Sequence, residues 1–214
     1  PKGSPGNGVF AGKDTRPLSG ANSDAKILAT ALRTPIDERI DGWATEAQRG
    51  FIKDRWMLAN VFEVESTALS FSCCFPSAAI LLFDFTAAFP SLSRIFIWIA
   101  LAGIGFPKKI IAALQALYSN NDHYISFNGI FKYAFRANSG VRQGCPLSSA
   151  IFVLTTDCLL RAIMYNIGPP NLLRGYADDT AAVVQNLWSA LPALNMIFSL
   201  ICVCSRLSLN ARSV

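Results

Sequence analysis

The sequence predicts an α+β fold in which an antiparallel sheet packs on helices. Three observations carry that prediction. Two pairs of strand-like runs are joined by tight turns: His123 to Phe127 and Ile130 to Phe135 flank Asn128-Gly129, while Leu173 to Tyr176 and Thr180 to Val184 bracket Ala177-Asp178-Asp179. An unbroken apolar run of strand length, Ala78 to Phe85, stands apart from both hairpins. Elsewhere apolar residues recur at helical spacing.

Residues 1 to 15 are rich in Gly, Pro, Ser and Lys and read as loop. Asn22 or Ser23 caps a short helix from Asp24 to Leu32, with Ile27, Leu28 and Ala31 on one face. Asp54 to Leu69 follows as a second amphipathic helix. Ala78 to Phe85 has the composition of a strand buried on both faces, and Asp84 near its end is out of character there. Ser91 to Ala102 returns to helical spacing and stops at Gly103. Pro107 opens another helix reaching Tyr118, because a proline in the first turn gives up no hydrogen bond. Pro146 starts a helix that runs to about Met164, and the last helix spans Leu187 to Cys204 with Pro192 as the place for a kink. No repeat or linker interrupts the chain, which reads as one continuous unit.

With 214 residues and 52% hydrophobic content the chain has ample material for a core. Only 15% of residues are charged, which excludes a disordered tail or a basic arm. The net charge of +5 suits a polyanionic partner, since Lys and Arg supply the sequence-independent part of nucleic-acid affinity. Six cysteines, at 73, 74, 145, 158, 202 and 204, make no C-x-x-C pair and have no histidine at zinc spacing, so they read as buried, reduced thiols of an intracellular protein. The apolar stretch Ile95 to Phe106 is short of the roughly 20 residues a bilayer needs and is flanked by Arg94 and Lys108, so no membrane partner is expected. Beginning on Pro1 with no charged or apolar leader, the chain reads as a piece of something longer. Its mean hydropathy of +0.35 predicts apolar surface that docks on missing neighbours.

Asp84 raises the chemical question. An ionised carboxylate in an apolar strand is costly unless paired or bound to metal, and no Lys or Arg lies close to it in sequence. An adjacent Asp pair on its own reads as a solvated turn. If the Asp84 strand ends beside the Asp178-Asp179 hairpin, however, the carboxylates converge at one edge of a sheet, the arrangement that two Mg²⁺ ions about 4 Å apart require. Side chains alternate along a strand, so Asp178 and Asp179 cannot be equivalent. Arg142-Gln143-Gly144-Cys145-Pro146 ends an irregular segment just before a helix, and Gly144 there allows close backbone approach.

Three segments occur in one order: Leu81-Leu82-Phe83-Asp84-Phe85-Thr86-Ala87-Ala88-Phe89, Gly140-Val141-Arg142-Gln143-Gly144-Cys145-Pro146-Leu147-Ser148, and Gly175-Tyr176-Ala177-Asp178-Asp179-Thr180. Together they resemble the palm of a reverse transcriptase, most nearly the enzymes of non-LTR (LINE-type) retrotransposons. That resemblance implies reverse-transcriptase fingers (residues 1–77, partial) and palm (78–214), without thumb or endonuclease. It implies RNA-directed DNA synthesis with two Mg²⁺ ions, deoxynucleoside triphosphates, an RNA template and a DNA primer, in a nuclear ribonucleoprotein. A group II intron-type reverse transcriptase and a degenerate fragment that only binds nucleic acid are the alternatives.

By the same resemblance Asp84 and Asp178 are direct metal ligands, with Phe85 beside both metal and nucleotide, and Asp179 is a helper. Gln143 and Gly144 position the incoming nucleotide, and Phe89 fills the space a ribose 2′-hydroxyl would need. Lys13 to Ser19 looks like a fingers segment whose Arg16 reaches the triphosphate, and Gln48-Arg49-Gly50-Phe51-Ile52 resembles the motif that follows. Lys13, Lys53 and Arg55 read as solvated, with phosphate contacts as the functional alternative. The family usually closes its palm with Gly-Leu-x-x-Asn-x-x-Lys; here Arg206 stands for the Gly and Ser213 for the Lys, and Ser149 stands for a customary Pro.

Overall fold

The computed structural model describes residues 20–142 and 144–210. Chain order is α1 (Ser23–Asp37), α2 (Ile40–Trp43), α3 (Met57–Cys74), β1 (Ala79–Phe83), α4 (Ala88–Ser91), α5 (Arg94–Gly103), α6 (Lys108–Tyr118), β2 (Asp122–Phe127), β3 (Ile130–Arg136), α7 (Ser148–Ile167), β4 (Leu172–Tyr176), β5 (Asp179–Val184) and α8 (Leu187–Ser205). The α+β expectation holds, with both hairpins where the turn residues put them. Asn128 and Gly129 take φ of 50° and 78°, the two positive values that a two-residue hairpin turn demands.

The core is built around α7. Ala150 through Asp157 are all buried, because the helix is apolar nearly all round and its polar members are served locally. Thr155 and Thr156 donate to carbonyls one turn back, while Asp157 accepts from the Thr45 N–H (3.0 Å) and from Arg161 Nε (2.8 Å). The antiparallel sheet runs in the order β1-β5-β4, with Phe83 opposite Thr180, Leu81 opposite Ala182, and Leu173 also opposite Ala182. Leu173, Ala182 and Val184 turn one face into the core with α7 and α8. The other face meets α3 across a groove of about 840 Å³ lined by Val61, Val64, Leu69, Ile80, Leu82 and Val183.

That groove corrects the reading of Ala78 to Phe85 as buried on both faces. β1 is an edge strand whose alternate residues Ile80 and Leu82 are 49% and 78% exposed. Its second apolar face stays open because α3 sits chiefly over β4 and β5. The first helix is longer than expected and runs through Pro35 to Asp37, and α3 starts at Met57 because Asp54 takes φ 61°. The helix expected from Ser91 to Ala102 starts at Arg94, as α5, because Ser93 caps it by accepting from the Phe96 N–H; a separate short turn, α4, ends at Ser91. Among the cysteines, all free as expected, Cys73, Cys74, Cys202 and Cys204 are exposed rather than buried, since they lie at the end of α3 and on the outer side of α8; burial pushes the Cys158 thiol up to about 11.

Arg55 is not solvated. Its half-buried guanidinium pairs with the exposed Asp41 (2.6 Å) and donates to the Gln48 carbonyl (2.7 Å), closing the loop between α2 and α3. By length and composition α7 and α8 are apolar enough to cross a membrane; 61% of the α7 window and 17% of the α8 window are buried inside the fold.

Candidate functional site

β1 and β5 bring the acidic residues together. Phe83 and Thr180 are the last pair of their ladder, so the next residues, Asp84 and Asp179, leave it side by side on the groove face. Tyr176 pairs with Asp179, which leaves Ala177 and Asp178 as a two-residue turn. The pair expected to be inequivalent is so by position: Asp178 sits in the turn, half-buried, and Asp179 begins β5, exposed.

The sheet continues past β1. Thr86 N–H donates to the Ser208 carbonyl (2.9 Å), Asn210 N–H donates to the Asp84 carbonyl (2.8 Å), and Phe85 bridges Leu209 antiparallel. This short rung brings the Asn210 side-chain amide to Asp84 Oδ2 at 3.0 Å. Phe85 itself is buried, its ring 6.2 Å from that of Phe198, so only its main chain can serve a metal or nucleotide.

Electrostatics report the convergence. Although Asp179 is exposed overall, partial desolvation of its carboxyl pushes it above its ordinary value, and the charges of Asp178 and Asp84 push it the same way. A cation between these groups would relieve that repulsion, and three carboxylates offer the hard oxygen donors that Mg²⁺ prefers. The donor chemistry therefore fits a divalent ion. The spacing is open, for among the described residues no three acidic, His or Cys side chains are gathered closely enough to hold one as they stand.

Behind the acidic turn lies a polar scaffold. Gln48 is fully buried; its Oε1 accepts from the Ala177 N–H (3.0 Å) and the Gly50 N–H (2.8 Å), and its Nε2 donates to the Ala177 carbonyl (3.3 Å). Arg49 donates to Glu63 at 2.6 Å, and Arg174 bonds the other Glu63 oxygen, tying α3 to β4. Burial works to raise the Glu63 carboxyl, yet the two arginine hydrogen bonds hold it below its ordinary value.

Phe89 follows the site on α4. Its ring is half-buried, stacked on Phe152 at 4.2 Å and 8° and edge-on to Phe51 at 6.4 Å. The Phe89 carbonyl accepts from the Val141 N–H at 3.0 Å, which joins this residue to the segment leading to Gln143. Gly140, at φ 72°, makes that approach possible: a Cβ there would fall 2.5 Å from Pro90 and 2.7 Å from the Phe89 oxygen. Gly144 is exposed, with φ 76°. Gln143 and Arg16, like Lys13, lie outside the described residues.

Sequence reasoning did not identify several supporting residues. Gln48 was legible only as part of a resembling motif. Arg33, which donates from α1 to Ser149 Oγ at 2.7 Å, carried no signal, because its partner is 116 residues away. Arg94 donates to the carbonyls of Tyr118 and Gly140 and stands over the Tyr118 ring at 5.5 Å. Burial pushes that phenol up to about 12.

Residues 2–211 match the family described as "Reverse transcriptase (RNA-dependent DNA polymerase)". Two curated relatives are similar. The Transposon TX1 uncharacterized 149 kDa protein of Xenopus laevis is 26% identical over 82% of this chain and 14% of its own length. The Retrovirus-related Pol polyprotein from type-2 retrotransposable element R2DM of Drosophila melanogaster is 31% identical over 73% of this chain and 15% of its own. The chain thus spans about one seventh of either relative. Among solved structures, apo telomerase from Candida tropicalis superposes with a TM-score of 0.67 at 12% identity, covering 86% of this chain and 36% of that one. The same fold appears in Candida tropicalis telomerase with a fragment of telomeric RNA, TM-score 0.64, 15% identity, 86% of this chain and 32% of that one.

Proposed function

Since the chain belongs to the reverse transcriptase family, we propose that it is the fingers and palm of a LINE-type RNA-directed DNA polymerase that adds deoxynucleotides to a primer 3′-hydroxyl on an RNA template. The observation that carries this reading is the meeting of Asp84, Asp178 and Asp179 at one end of an antiparallel sheet, where Asp179 feels the other two charges. Asp84 and Asp178 would hold two Mg²⁺ ions, with Asp179 assisting and the main chain of Phe85 available beside them. When bound, such ions would supply Lewis-acid chemistry, activating the primer hydroxyl and neutralising charge on the pyrophosphate.

The chain's own residues do the rest. Asn210 orients Asp84 through its 3.0 Å hydrogen bond. Gln143 and Gly144 position nucleotide and template base, Arg16 takes the triphosphate, and the Phe89 ring occupies the space of a 2′-hydroxyl. The stack on Phe152 supports that role, since a ring held between two others cannot swing aside. The wider polyprotein would work in a nuclear ribonucleoprotein. A second reading, a fragment that binds nucleic acid without catalysis, draws on the open spacing of the carboxylates.

Primer extension on an RNA template with Mg²⁺ distinguishes the two. Asp84→Asn and Asp178→Asn should each abolish extension while leaving primer–template binding nearly unchanged, and Asp179→Asn should hurt less. Equal residual activity in all three variants would remove the unequal roles; no metal-dependent extension by the unaltered protein would favour the second reading.

A further inference from the structure

We propose that Gln48 is a positioning residue that sets the orientation of Asp178, by clamping the two-residue turn between β4 and β5 from a segment on the far side of the chain. The inference rests on the reading that Asp178 serves the metal site.

Both main-chain polar groups of Ala177 are taken by this one side chain. Oε1 receives the N–H at 3.0 Å, and Nε2 gives a hydrogen bond to the carbonyl at 3.3 Å. Ala177 has φ 61°, a conformation that residues with a Cβ avoid and that persists only where the surroundings over-determine it. Those surroundings are Gln48 and its neighbours. Gly50 packs so tightly that a Cβ on it would lie 2.1 Å from the Ala177 nitrogen and 2.9 Å from its Cα. The flanking main chain docks on Gly175, which donates to the Ala47 carbonyl (2.7 Å) and accepts from the Arg49 N–H (2.9 Å). Arg55 holds the same segment from behind through the Gln48 carbonyl, at 2.7 Å.

Asp178 shares a peptide plane with Ala177, so tilting that plane swings the carboxylate. A hairpin tip on its own would wander. A buried amide bonded to both ends of the preceding residue leaves it one orientation, which is what ligand geometry needs. A glutamine suits the task because it presents an acceptor and a donor from a single planar group. Gln48 acts through Ala177, not by touching substrate or metal.

The test uses two substitutions in the whole polypeptide. Gln48→Leu removes both hydrogen-bonding functions. Gln48→Glu keeps the shape: protonated, it has an acceptor and a donor, and ionised, it has no donor for the Ala177 carbonyl. Amide hydrogen exchange of Ala177 and Gly50, thermal unfolding, and extension kinetics corrected for the active fraction are measured for each.

For Gln48→Leu the expected result is exchange at Ala177 faster by about tenfold or more, with kcat down at least about tenfold and KM for the nucleotide within about threefold, since about 1.4 kcal/mol of lost orientation corresponds to tenfold. For Gln48→Glu, kcat relative to the unaltered protein should fall as pH rises, and acid should restore it, a dependence that loss of folded protein alone would not produce in the active fraction. If Gln48→Leu does not fold, the pH course of Gln48→Glu decides. Unchanged Ala177 exchange, or a corrected kcat that is unaltered in Gln48→Leu or flat with pH in Gln48→Glu, would overturn the proposal. Asp178→Asn, run in parallel, separates the layers: if it retains extension the metal-site reading fails, whereas if it is dead while Gln48→Leu is normal, the positioning role alone fails.

Discussion

At the residue scale, the charge state of Asp179 and the packing of Phe89 have direct consequences. The Asp179 carboxyl is raised above its ordinary value in the fold, first by partial desolvation and then by Asp178 and Asp84. A raised carboxyl binds its proton more tightly folded than unfolded, so the fold is fully favoured below the ordinary carboxylate value. Stability then falls as pH climbs from that value through the raised one. In metal-free buffer Asp179→Asn should therefore raise Tm at pH 7 and leave it unchanged at pH 3, by thermal melts in chelator. Added Mg²⁺ should raise the Tm of the unaltered protein and raise that of Asp84→Asn less. For Phe89→Ala, lost stacking on Phe152 should cost about 2 kcal/mol in denaturant melts, less than a fully buried ring because this one is half-exposed. Single-nucleotide insertion should show ribonucleotide use rising relative to deoxynucleotide by about tenfold or more. An unchanged sugar ratio with the stability loss would leave Phe89 a packing residue only.

At the element scale, two joints stand out. α8 ends at Arg206 with φ 63°, its N–H donating to the Cys202 carbonyl at 3.0 Å. This is the left-handed helix end that glycine accepts without strain, and glycine is the residue the resembled motif carries there. Arg206→Gly should stabilise the protein by about 1 kcal/mol in denaturant melts and leave the Asn210 contact to Asp84 in place. The opposite holds where Gly50 meets the acidic turn. A methyl group 2.1 Å from a backbone nitrogen has no flexible neighbour to displace, so Gly50→Ala should cost more than about 2 kcal/mol and disturb extension together with stability. The helices were legible as elements because their apolar spacing and Pro107 are local signals. The start of α3 differs from the expected Asp54, since Asp54 takes φ 61° and Arg55 is bonded to the Gln48 carbonyl, contacts that apolar spacing does not show.

At the scale of the whole molecule, charge and apolar surface bear on partners. The chain carries a formal +5, but six arginines, at 33, 49, 55, 136, 161 and 174, are already paired with carboxylates. Fewer cations are left for phosphates than the composition suggests. Fluorescence titration of a primer–template should therefore give weak binding whose log–log salt slope corresponds to only about 3 to 5 phosphate contacts, and long products from this chain alone would contradict it. The high hydropathy has a visible location as well. Met57, Val61, Leu69, Ile80 and Leu82 stand exposed in the groove between α3 and the sheet, and Trp188, Leu200 and Val203 along α8.

By itself the sequence determined what depends on near neighbours. Asn128-Gly129 marked one hairpin, because its residues favour the positive φ the turn needs, and the apolar runs flanking Ala177-Asp178 marked the place of the other. The acidic residues could be singled out as well, since a carboxylate after six apolar residues, Ala78 to Phe83, is anomalous without reference to anything else. Which face of β1 stays open, why Arg55 is structural, and how Ala177 keeps a positive φ were decided by tertiary structure. Gln48 and Ala177 are 129 residues apart in the chain. Their hydrogen bonds leave no local periodicity or composition to read, because a buried amide is satisfied by whichever main-chain groups the fold delivers to it.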